Sequence, residues 1–225
     1  MRQLLALLML CMSLGQNSSE MLVEQTSLGG SLYLVNRVYR LTESYKPDDL
    51  VRPDVRRTSS EILMRREAAD QMEQLFKQAY SEGHTLVAVS GFRSYETQRL
   101  IYQRKVNTTG SRQKAELLVA PPGTSEHQLG LAMDIGRKSS TNLNASFGRS
   151  AEGLWLAENA GKFGFIIRYK KEWTDITGYA DEPWHIRYVG IEHAAAIMQR
   201  DIPFEQYVGE LAQLMFGEFL GNASY

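Results

Sequence analysis

Residues 125–136 read SEHQLGLAMDIG. The stretch is mostly apolar or small, yet it sets an imidazole, His127, seven positions before a carboxylate, Asp134. Gly130, between them, permits a turn or a close backbone approach. LAMDI, residues 131–135, then suits a strand, with Ala132 and Asp134 on one face and Leu131, Met133 and Ile135 on the other. Asp134 would emerge beside a small residue, which leaves room for an ion. Two readings fit this pattern. One is a strand with a hydrogen-bonded polar residue at each end. The other is a pair of metal ligands whose partner lies elsewhere in the chain.

A second stretch, EPWHIRYVG at residues 182–190, supplies such a partner. His185 and Arg187 share one face of a strand over WHIRYV. Glu182 lies three residues before His185, so a straight strand would place it on the opposite face. Pro183 favours a bend that brings Glu182 back, beside an ion rather than on it. His127, Asp134 and His185 offer two neutral nitrogens and one anionic oxygen. Three such ligands with a fourth position for water are the arrangement of catalytic zinc. Zinc lowers the pKa of that water toward ~7 and polarises a carbonyl. A nearby carboxylate can then move the proton to a departing amine. A single His-to-Asp spacing is nevertheless weak. Glu182 alone reads equally as a solvated loop carboxylate, Arg93 as a surface ion-pair partner, and Trp184 and Arg187 as packing residues. The pattern by itself leaves both readings standing.

The surrounding chain mixes helix and strand signals without regular alternation, which predicts an α+β fold with a mainly antiparallel sheet and flanking helices. LYLVNRVYRL (32–41) has strand-like apolar content, and SYKPDDLVRPDV (44–55) reads as an extended surface stretch. Leu63, Ala68, Met72, Leu75, Phe76 and Ala79 follow a helical face between residues 61 and 82, with Gly83 as a stop. HTLVAVS (84–90) reads as a buried strand. Ser94 would cap a second helix with Leu100 and Ile101 facing inward. A partly polar stretch from residue 108 to 123 ends in a loop. GLWLAENAGKFG (153–164) predicts a helix stopped at Gly164, FIIRYK (165–170) a strand, and two helices near 191–199 and 204–216 close the domain.

The 225-residue length suits one domain with short appendages. A formal net charge of −1 argues against a general nucleic-acid binder, which is usually basic. The N-terminus, MRQLLALLMLCMSLGQ, has a positive Arg2, an apolar run from Leu4 to Leu14 and small residues at Ser13 and Gly15. This is the pattern of a secretory signal peptide over residues 1–15. Residues 16–31 read as a linker or irregular arm, and residues 32–225 as the main domain. The single cysteine, Cys11, lies in the signal segment, so a processed chain would hold neither disulfides nor cysteine-bound metal. Leu10 before it argues against a lipoprotein cysteine. Export to the periplasm, cell envelope or exterior follows, with membrane association expected only through an uncleaved N-terminal segment.

SGFRSYETQ (90–98), SEHQLGLAMDIG and EPWHIRYVG together resemble the three signature blocks of the zinc D-alanyl-D-alanine carboxypeptidases of the VanY-like type, among the LAS-type metallopeptidases. LVNRVYRLTESYKPDDLV and WLAENAGKFGFIIRY resemble their flanking blocks. The resemblance runs over about residues 32–210. It implies that the main domain, 32–225, is catalytic and has the α+β zinc fold these peptidases share with the hedgehog domain. It implies that His127, Asp134 and His185 bind Zn2+, that Glu182 is the catalytic base, and that Arg93 holds substrate and stabilises charge near the scissile carbonyl. Ser125 and Gln98 would be pocket residues. The implied reaction removes the C-terminal D-alanine from peptidoglycan stem peptides. The alternatives are an L,D-carboxypeptidase or a cross-link endopeptidase with the same zinc chemistry, a non-catalytic zinc-containing binding module, and a metal-free adhesion domain. Glu182 separates enzyme from binding module, because binding alone needs no base.

Overall fold

The structure, a computed structural model, describes residues 30–221. The expected signal segment, and all but the last two residues of the arm, lie outside the described residues. Among those described, no helix is long and apolar enough to cross a membrane.

The described chain opens with one 3-10 turn, Gly30–Leu32. The run 32–41, expected as a strand, forms none. Leu32, Val35 and Leu41 are still buried, but the Asn36 side chain accepts from the Val38 and Tyr39 amides and closes a turn. Apolar content alone had suggested a strand; the local Asn turn diverts the backbone instead. The first strands are short: β1 (Leu50–Val51) pairs antiparallel with β2 (Met64–Arg65). Because Met64 and Arg65 are used in that ladder, helix α1 runs over Arg66–Ser81 rather than from residue 61. Its buried face carries Ala68, Met72, Leu75, Phe76 and Ala79, as the spacing predicts.

Strand β3 (Leu86–Ser90) leads into α2 (Tyr95–Thr109), where the Ser94 side chain accepts from the Thr97 amide as the expected N-cap. The inward face expected of α2 is corrected. Leu100 is 51% exposed, Ile101 is half-buried on the wall of a cleft, and Gln98 is the helix's buried residue. Helix α3 (Arg112–Glu116) follows within the stretch read as partly polar. A 3-10 turn, Glu126–Leu129, then precedes β4 (Ala132–Arg137). Helix α4 (Ala151–Asn159) starts under a Ser150 cap and tightens into a 3-10 turn, Ala160–Phe163, that stops at Gly164. The remaining elements are β5 (Phe165–Ile167), α5 (Thr174–Thr177), β6 (His185–Tyr188), α6 (Ile191–Arg200) and α7 (Phe204–Gly221).

Four of the strands form an antiparallel sheet in the order β3-β4-β6-β5. Its two faces differ. Met133, Ile135, Ile186 and Tyr188 join Met72, Leu75 and Leu156 from α1 and α4 in the main core. The alternate residues Asp134, His185 and Arg187 point the other way. A smaller cluster of Ile166, Val189, Ile197 and Phe204 packs α6 and α7 beside them. The α+β class with an antiparallel sheet is therefore the observed architecture.

Gly130 ends the 3-10 turn at φ +69°. A Cβ there would stand 2.8 Å from Leu50 Cδ2 and 3.2 Å from Arg65 Cγ, while the Gly130 carbonyl accepts from the Arg65 amide at 2.8 Å. Gly130→Ala is expected to lower unfolding free energy by about 1–3 kcal/mol through the left-handed backbone and the clash. Urea titration measures this, and an unchanged midpoint would refute the fit argued for Gly130.

Candidate metal centre

His127, Asp134, His185 and Glu182 are brought together by three different devices. His127 sits in the 3-10 turn Glu126–Leu129, whose first turn is tied by the Ser125 hydroxyl accepting from the His127 amide. Asp134 and His185 face each other across the β4–β6 ladder as direct register partners. Side chains opposite one another in an antiparallel pair lie close on the same face. Glu182 reaches the same place through a turn over Pro183, closed by the His185 amide donating to the Glu182 carbonyl at 3.0 Å. This is the bend expected from Pro183.

The three side chains are buried, and each offers one ligand atom within 4.8 Å of the others. His127 Nδ1 donates to the Gly91 carbonyl at 2.7 Å. That bond fixes the tautomer, so Nε2 carries a lone pair. It faces Asp134 Oδ2 at 3.3 Å and has no hydrogen-bond partner among the described residues. Two lone-pair atoms held together in a buried site are stabilised by a cation between them. His185 turns its Nδ1 to Asp134 Oδ1 at 3.1 Å. Donor types, spacing and burial thus fit a three-ligand zinc site.

The electrostatics agree with a site built for positive charge. Burial, aided by the Arg93 guanidinium, lowers the His127 pKa to about 4 and keeps it neutral. Burial also disfavours charge on His185, yet the hydrogen bonds and charges of Asp134, Glu126 and Glu182 outweigh it and raise His185 to about 9. Glu182 Oε2 lies 3.7 Å from His185 Nδ1. Burial pushes its carboxyl up to about 7, with Asp134 adding to the shift and His185 and Arg93 opposing it.

Arg93 follows β3 and stands behind the trio. Its Nη2 donates to Asp134 Oδ2 at 3.2 Å and its Nη1 to Gln98 Oε1 at 2.9 Å. Gln98 in turn donates to the Ala120 carbonyl at 2.7 Å. All seven residues singled out in the sequence line one cleft of about 380 Å³, together with Tyr169, Tyr179 and Trp184. Gln98 and Ser125 contact its polar framework.

The sequence reading passed over Glu126, Arg168 and Glu205. Glu126 Oε1 accepts from Arg168 Nε and Arg187 Nη1, both at 2.8 Å, and all three side chains are fully buried. Arg168 also pairs with Glu205 from α7 at 2.6 Å. Burial opposes ionisation of Glu126, but the two guanidiniums hold its carboxyl below the usual range. The available signal was an arginine inside each of two apolar strands, FIIRYK and WHIRYV. Such a residue is rarely buried without a paired acid.

The family of VanY, D-alanyl-D-alanine carboxypeptidase, matches residues 61–191. The chain belongs to the VanY family. The carboxypeptidase-named YodJ of Bacillus subtilis (strain 168) is 47% identical over 188 residues, covering 81% of this chain and 68% of YodJ. The solved LdcB LD-carboxypeptidase superposes with a TM-score of 0.73 at 48% identity, over 77% of this chain and 83% of that one. A vancomycin resistance D,D-pentapeptidase VanY, solved as a variant in complex with Zn(II), gives 0.66 at 35% identity, over 79% and 98%. The likeness in fold bears out the zinc-peptidase architecture that the sequence blocks imply.

Metal titration tests the trio. The chain is expected to bind one equivalent of zinc, and His127→Ala or Asp134→Ala to weaken binding by ~10²-fold or more, as loss of one of three ligands predicts. His84, tilted against Trp155, and His193, bonded to the Tyr207 hydroxyl, stand apart from the trio. Replacing either is expected to leave zinc in place by elemental analysis.

Proposed function

We propose that this chain is a zinc-dependent D-alanyl-D-alanine carboxypeptidase that removes the terminal D-alanine from peptidoglycan stem peptides. The single observation that carries the reading is the buried His127–Asp134–His185 trio with the Glu182 carboxylate beside it and the Arg93 guanidinium behind it. Family membership supplies the substrate class. Cell-wall action and the N-terminal pattern together support an envelope or extracellular location.

Zinc held by the trio supplies Lewis-acid polarisation and a nucleophilic water at neutral pH. The protein's own residues do the rest. Glu182 is the base. Its raised pKa suits a group that must accept a proton from water and return it to the departing amine. The 3.7 Å separation from His185 Nδ1 supports a role beside the reacting atoms rather than in a ligand position. Arg93 has a buried Nε with no partner among the described residues. That free donor, beside two engaged ones, suits a substrate oxygen, and a guanidinium is the natural partner of a C-terminal carboxylate. Gln98 holds Arg93 in this pose. The walls formed by Tyr169, Tyr179 and Trp184 limit water at the peptide bond.

The similarity to LdcB, higher than that to VanY in both identity and TM-score, favours one second reading: L,D-specific removal of the last residue from a tetrapeptide stem. The same base and ligands serve both reactions. Mass analysis of products from defined pentapeptide and tetrapeptide stems separates them. Loss of D-alanine from the pentapeptide alone supports the first reading, and loss from the tetrapeptide alone supports the second.

Glu182→Gln keeps the shape and removes the base. It is expected to retain zinc while turnover falls by ~10²-fold or more. Loss of metal together with activity would instead make Glu182 a ligand or a structural support. Arg93→Lys keeps the charge but loses the planar fork, and is expected to impair turnover. Equal cleavage of free-acid and amidated substrates by the wild type would count against carboxylate recognition.

A further inference from the structure

We propose that Glu126 is a positioning residue that sets which nitrogen of His185 faces the metal. The inference rests on the zinc site proposed above and concerns a residue outside the ligand set. The Glu126 carboxylate divides its two oxygens. Oε1 accepts from Arg168 Nε and Arg187 Nη1, each at 2.8 Å. Oε2 has no hydrogen-bond partner among the described residues, and it lies 3.5 Å from His185 Nε2, which is equally buried and equally unpartnered. A carboxylate oxygen can only accept, so it favours a proton on Nε2. A neutral imidazole with its proton on Nε2 has its lone pair on Nδ1, the nitrogen aimed at Asp134. Glu126 thereby selects the tautomer whose Nδ1 can ligate a cation. A carboxylate behind a metal-bound histidine orients the ring and strengthens the ligand in this way.

The two arginines make the charge on Glu126 matter beyond its shape. Both donate to one oxygen, so a glutamine in its place must turn its carbonyl toward them. Its NH2 group is then left facing His185 Nε2. That donor demands a lone pair on Nε2, which moves the imidazole proton to Nδ1 and against the ligand position. Glu126→Gln therefore opposes metal binding through the tautomer, while the arginines keep an acceptor. Glu205 offers the matched comparison. It pairs with Arg168 at 2.6 Å from α7, so Glu205→Gln weakens the same arginine cluster without facing His185.

Zinc affinity by chelator competition on the full chain separates these effects. Glu126→Gln is expected to bind zinc ~10- to 100-fold more weakly than wild type, with Glu205→Gln close to wild type. Wild-type affinity in Glu126→Gln overturns the proposal, as does an equal loss in both variants, which would mark general loosening of the cluster. Nitrogen-15 spectra of zinc-loaded wild-type protein give an answer that needs no folded variant. His185 is expected to show a protonated Nε2 and a metal-bound Nδ1, and the reverse assignment overturns the proposal. Wild-type protein that binds no zinc at all would defeat the metal site itself, a result distinct from either failure of Glu126.

Discussion

The register of the β4–β6 pair is the constraint on which the site depends. Asp134 stands opposite His185, and Ala132 opposite Arg187. With a side-chain period of two, this single alignment sends Met133 and Ile186 into the core while holding the carboxylate and imidazole together on the other face. A slip of one residue would turn Asp134 and His185 toward α1 and the core set toward the polar face. Hydrophobic burial on one face therefore enforces the geometry of the candidate trio on the other. The small Ala132 beside Asp134 leaves space on that face that a larger side chain would fill.

The polar face is held by charge as well as by apolar packing. Glu126, Arg168 and Arg187 are fully buried, and the guanidiniums also lie against the Phe204 ring at 5.4 and 5.1 Å. Arg187 donates onward to the carbonyls of Ser31 and Tyr33. The cluster thus ties the start of the described chain and α7 to the strands that carry the site. Replacing such a cluster wholesale by apolar residues is often neutral for stability, whereas removing one member costs about 3–5 kcal/mol. Its value here lies in directional contacts: hydrogen bonds fix orientations that apolar packing leaves looser.

Arg93 is held by directional contacts in the same way. Its position is set from three sides, by its backbone amide donating to the His127 carbonyl, by Gln98, and by Asp134. Ser94 caps α2 immediately afterwards. The helix that presents Gln98 is thereby anchored at the residue adjoining the arginine. This explains why α2 buries an amide and leaves Leu100 in solvent. The helix is docked through polar contacts to the site and does not supply an apolar face to the core.

The sequence by itself determined the elements whose signals are local. The α1 face from Ala68 to Ala79, the Ser94 cap, the Gly130 and Gly164 stops and the turn over Pro183 all follow from side-chain spacing or backbone preference within a few residues. The three signature blocks also brought the seven candidate site residues to notice. Tertiary structure alone decided what depends on distant partners. Residues 32–41 carry strand-like content but no strand, because the Val38 and Tyr39 amides close a local Asn36 turn and, among the described residues, no strand edge pairs with the run. Glu126 reads as an ordinary acid until Arg168 and Arg187, 42 and 61 positions away, converge on one of its oxygens. His127 shows no tautomer preference until the Gly91 carbonyl meets its Nδ1. Hydrogen-bond direction is a property of atoms brought together across the chain, and only the folded arrangement specifies it.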